Sequence, residues 1–151
     1  MKDSLGLRGQ LTLTLRGPTG EVKETRTVKN LVVNTGLAHI TSRMTGTAQA
    51  VMSHMGLGEG TTAAAAGDTA IESPLGSRKA LGSMTVTGAN NESVTYVTTF
   101  DPGEATGAVT EAGVFNNSTG GTMLCRTVFA VVNKGVGDTL QVTWATTLSA
   151  T

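Results

Sequence analysis

Residues able to do chemistry are few in this chain, and their spacing decides what each is for. His39 and His54 stand fifteen residues apart. No His-x-x-x-His, cysteine pair or tight carboxylate cluster accompanies them, so the spacing assigns no metal site. Each reads as a structural residue, either a satisfied polar contact or an exposed ring. Gly56-x-Gly58-x-Gly60-Thr61-Thr62 superficially has the form of a phosphate loop. A Walker loop needs a lysine after its last glycine, between a parallel strand and a helix, so that amides and an ammonium meet the phosphates. No lysine follows here, and no βαβ unit frames the run, which removes the dinucleotide fingerprint as well. The acids Glu59, Asp68, Glu72, Asp101, Glu104 and Glu111 are scattered, mostly in loops. A glycosidase pair drawn from them would also want aromatic platforms, and Trp144 and Tyr96 are the only large amphipathic rings. No Gly-x-Ser-x-Gly elbow is present. Cys125, the only cysteine, lies in an apolar run where a free thiol behaves as a small buried hydrophobe. These readings assign no catalytic, cofactor-binding or metal-ligating residue, and they point away from an enzyme.

Composition agrees. The chain has 151 residues, enough for one domain with one core. Its 11 basic and 11 acidic residues cancel, so binding nucleic acid or an anionic membrane by bulk charge is not expected. Lys23, Arg26 and Lys29 alternate with Glu21 and Glu24, as on a solvated strand face. Aromatic residues are 3% of the chain, too few to stack bases. Threonine (27), glycine (20), alanine (16) and valine (15) dominate instead, which suits pleated strands joined by tight turns. A core of such small residues buries little apolar area per residue, so packing against copies of itself or a larger assembly is expected to add stability. No stretch approaches 18 apolar residues and no signal-peptide pattern opens the chain, so the expectation is a protein made in a reducing cytosol with no membrane span.

Period-two alternation supplies the framework. Leu5, Leu7, Leu11, Leu13 and Leu15 share one parity, Thr12 and Thr14 the other. A turn over 17–20 and a return over 22–28 complete a hairpin. From Asn34 the spacing changes: Asn34 or Thr35 can cap a short helix with Leu37, Ile40 and Met44 on its inner side, ended by Gly46. Further strands are predicted over 51–57, 78–87, 93–100, 107–115, 122–133 and 139–149, with a flexible glycine-rich loop over 56–67. The fold class is therefore all-β: a single-domain antiparallel β-sandwich, jelly-roll-like, over residues 1–151, with one short helix and residues 1–9 as an N-terminal arm. Composition makes the arm, through Leu5 and Leu7, and the loop, through Gly58, Glu59, Gly60, Thr61 and Thr62, the pieces a neighbouring molecule is expected to order.

Three blocks resemble small structural proteins of tailed bacteriophages. They are residues 30–40, with Asn34-Thr35-Gly36-Leu37; residues 55–71, with Gly58-Glu59-Gly60-Thr61-Thr62-Ala63; and residues 110–126, with Glu111-Ala112-Gly113-Val114-Phe115-Asn116. The resemblance implies a virion protein without catalytic residues, made in the host cytoplasm and acting as a homo-oligomer. It points first to a capsid decoration (cement) protein on the major capsid protein. The same order of blocks is similar to the attachment domain of phage tail fibres, implying as the alternative an adaptor on tail or baseplate proteins. No shaft or receptor-binding tip follows the last predicted strand, which favours the capsid.

Overall fold

The computed structural model describes residues 4–150. Alternation builds β1 (Leu5–Arg16) as expected: Leu11, Leu13 and Leu15 are buried while Thr12 and Thr14 face the partly solvated side. The turn at 17–20 closes through the Gly17 amide on the Glu21 carbonyl, and Gly20 adopts a φ of 86° that its missing side chain permits. The chain returns as β2 (Val22–Val32). After helix α1 (Asn34–Ser42) come β3 (His54–Gly58), β4 (Lys79–Ala80), β5 (Ser83–Thr87), β6 (Ser93–Phe100), β7 (Gly107–Phe115), β8 (Met123–Lys134) and β9 (Thr139–Ala150). The single predicted strand over 78–87 is thus two short ones.

All pairings are antiparallel, and the nine strands form one sheet in the order β4-β3-β7-β8-β2-β1-β9-β6-β5. The sheet curls so that its two halves face each other. The end of β2 makes one join, where Leu31 and Val32 pair with Arg126 and Cys125 of β8. On the opposite side residues 80–83 step from β4 to β5, tied by the Leu81 amide to Ser53 and the Gly82 amide to Val97. Trp144, Phe100, Leu11, Leu13 and Leu140 from one half meet Met55, Leu57, Val109, Val114 and Leu124 from the other in one core. The all-β, single-domain antiparallel architecture with one helix is what the sequence implies. Its strand order, which alternation does not encode, joins the two layers into one continuous sheet.

Two expectations fail here. Residues 5–9 are not a free arm: they are strand, paired from Leu5↔Ala150 to Gly9↔Thr146 along β9. The remainder of that expected arm, residues 1–3, lies outside the described residues. The helix is also turned differently. Val33 occupies the N-cap position without a side-chain cap, and the Thr35 hydroxyl donates to the Met123 carbonyl (2.8 Å) instead. Gly36 and His39 are its buried residues, whereas Leu37 is 47% and Met44 81% exposed. The cause is a close approach, because a Cβ on Gly36 would collide with the Leu124 carbonyl of β8. The glycine therefore decides which side faces inward; of the expected stripe, Ile40 packs against the core and Leu37 and Met44 do not. Among the described residues no helix is long and apolar enough to cross a membrane.

Candidate functional site

Glu111 and Arg126 are charged residues buried together, at 0% and 2% exposure. Glu111 sits on β7 amid alanine, glycine and valine, and Arg126 on β8, where it pairs with Gly113. The two form an ion pair of 2.9 Å at 0% and 3% side-chain exposure. Oε2 of Glu111 accepts from Nε and Nη2 of Arg126 and from the Glu72 amide (3.0 Å). Oε1 accepts from the Gly60 (2.9 Å) and Ser73 (2.7 Å) amides. A carboxylate has about four lone-pair sites; five donors leave none for a substrate proton. Glu111 thus acts as an internal anion, gripped by the backbone much as a phosphate would be.

This grip explains the glycine spacing. A Cβ on Gly58 would stand 2.6 Å from the Ser73 carbonyl oxygen, and one on Gly60 2.5 Å from Oε1 of Glu111. Bare backbone lets the loop close on the buried carboxylate. Around it, Arg126 Nη1 donates to Asp68 (2.8 Å), and Nη2 to the Thr62 carbonyl (3.1 Å). Thr62 donates through its hydroxyl and amide to Glu72 (2.7 and 3.0 Å). Burial alone would lower the Arg126 pKa, but Glu111 and Asp68 reverse that and hold it above its ordinary value. The Ala65 amide, helped by Arg126, keeps Asp68 below the usual carboxylate range, and Thr62 does the same for Glu72.

Those depressed carboxylates fix a pH dependence. A group whose folded pKa is lowered stabilises the fold above its unfolded value, and that contribution is lost as pH falls through the folded one. Thermal midpoints should therefore decline as pH falls below the ordinary carboxylate range. Asp68→Asn should make that decline shallower. Melts recorded by circular dichroism across acidic buffers check this; an equally steep fall in Asp68→Asn would contradict the assignment.

The expected contact residues divide between two places. Gly58 and Gly60 are buried beneath the loop, while Glu59, Thr61 and Thr62 are exposed upon it. The loop is held from within its own chain, through Glu111 and through the Glu59 amide on Ser73 (2.8 Å). Leu7 instead lines an apolar cleft of about 510 Å³ between α1 and the inner face of β5, β6 and β9, with Leu5 exposed two residues along the same strand. Ile40, Met52, Met84, Val86 and Tyr96 form much of its wall. His39 Nδ1 and Thr146 Oγ1, from residues that also line it, are buried without a hydrogen-bond partner. Burial, aided by Arg43, lowers the His39 pKa against the opposing pull of Gln49. His54 is elsewhere, its Nδ1 against the Ser53 hydroxyl (2.8 Å). Among the described residues no group of three potential ligands could hold a metal ion.

Burial pushes the Cys125 thiol up, and pushes Tyr96 up to about 12 with a contribution from Cys125. Both remain neutral at physiological pH and serve as core. Sequence reasoning missed the pair that organises the site, because Glu111 looked like one more scattered acid. The readable signal was an acid and a base, Glu111 and Arg126, each set within an apolar run.

The chain matches no family model, no curated protein and no solved structure.

Proposed function

We propose that this protein is a non-enzymatic structural component of a tailed-bacteriophage virion, a decoration protein that binds as a homo-oligomer across major-capsid subunits and cements the shell. The observation that carries the reading is how the three phage-like blocks sit together. Asn34 of the first donates its amide to Ala66 of the second (2.8 Å), and Thr35 reaches Met123 of the third. Glu111 and Arg126 of the third clamp Gly60 and Asp68 of the second. Blocks separated in sequence thus meet around the buried Glu111–Arg126 pair, which supports reading them together as one unit.

The distribution of charge supports the same role. Buried charges secure the domain's own loop, while low-charge, threonine-rich strands with exposed apolar side chains remain outside. Such surfaces desolvate cheaply when a contact forms. A protein that binds only the assembled shell stabilises it by mass action, by about 2.7 kcal/mol per site at a hundredfold excess over Kd.

Particles of the encoding phage made without this chain are expected to assemble, yet to release their genome at a lower temperature. Purified protein added back should restore heat resistance saturably. Shells of unchanged heat resistance, with loss of host adsorption or of tail joining, would overturn decoration and favour the tail, baseplate or tail-fibre adaptor.

A further inference from the structure

An open sheet has to protect its edges, since unpaired strand backbone invites another chain. Two of the exposed margins here are guarded. The β4 end is two residues long, and its Lys79 is held by Asp101 (3.1 Å) and Glu104 (2.7 Å). Where β2 parts from β8, Arg26 reaches across to the Ala130 and Val131 carbonyls, with Lys23, Glu24 and Lys29 nearby in sequence. Strand β5 has no such device. It closes the sheet order, pairing only with β6, and no charged residue occurs from 81 to 91. Its residues 83–86 are all exposed, Met84 at 47% and Val86 at 59%.

We propose that β5 pairs antiparallel with β5 of a second copy, about a two-fold axis through Thr85. The sequence Ser83-Met84-Thr85-Val86-Thr87 is complementary to itself in that register. Met84 falls opposite Val86 of the other copy on the cleft side, and Ser83 opposite Thr87 on the other side. Apolar meets apolar, hydroxyl meets hydroxyl, and no like charges are opposed. The five strands β2-β1-β9-β6-β5 continue into their counterparts as one sheet. A standard interface takes ~800 Å² per partner, about a tenth of this chain's 7746 Å². Met84 and Val86 of β5 and the exposed Val51, which lines the same cleft, supply apolar side chains for such a contact. The proposal names a surface for the homo-oligomer of the proposed function and rests on that reading only for its use. Mass in solution tests the pairing, and heat resistance of particles tests the use.

Sedimentation velocity at high micromolar concentration should give the wild-type chain twice its 15.4 kDa mass. Met84→Lys and Val86→Glu should each halve that mass with unchanged circular dichroism. Their equimolar mixture should regain it, because Lys then faces Glu at one pair while Val86 faces Met84 at the other. As a second readout, Thr85→Cys should cross-link to a covalent dimer on mild oxidation. A wild-type mass of one chain, single variants that stay associated, a mixture that stays monomeric, or Thr85→Cys that forms no cross-link would each overturn the proposal.

Discussion

Replacing Glu111 with alanine is expected to destabilise the protein by about 3–5 kcal/mol, the usual cost of breaking a buried ion pair from one side. Arg126 would be left nearly fully buried without its main counter-ion, and the Gly60, Glu72 and Ser73 amides would lose their acceptor. Each orphaned buried donor adds a desolvation penalty of about 1–3 kcal/mol where water cannot reach it. Those amides make this pair unlike an isolated salt bridge. Replacing both partners by apolar residues of similar size is often neutral elsewhere, but Glu111→Leu with Arg126→Met should remain destabilised, since the loop still has nothing to close upon. Urea unfolding followed by Trp144 emission checks both variants. A loss below about 1 kcal/mol in Glu111→Ala would mean that the loop is held by other contacts.

Trp144 carries the second large effect. Its ring is fully buried at the centre of β9, between Leu11 of β1 and Tyr96 of β6. Trp144→Ala should cost about 3–5 kcal/mol through lost burial and the cavity left behind. Its indole Nε1 has no hydrogen-bond partner. Trp144→Phe therefore removes an unsatisfied donor along with part of the ring, and should cost markedly less than the alanine change. Thermal melts by circular dichroism distinguish the two; equal losses would show that ring volume alone sets the cost.

Much of the framework was legible because strands write their period directly into sequence. Residues 93–100 and 107–115 coincide with β6 and β7, and the leucines of β1 alternate as read. What the sequence concealed depended on contacts between distant residues. The side of α1 that faces inward follows from Gly36 against Leu124, which keeps Ile40 of the expected stripe against the core but leaves Leu37 and Met44 exposed. The loop over 56–67 looked formless because its ordering group, Glu111, lies about fifty positions further along the chain. A single carboxylate gives no periodic signal, and its burial becomes apparent only when β7, β8 and the loop are brought together. The cleft was hidden for the same reason: its walls come from seven separated segments of chain.

Placement within the particle tests the account most directly. On the proposed decoration role, cryo-electron microscopy of the intact virion should show this fold repeated over the icosahedral shell, seated where major-capsid subunits meet. Density confined to the tail axis or baseplate, or absent from the virion altogether, would contradict the decoration role.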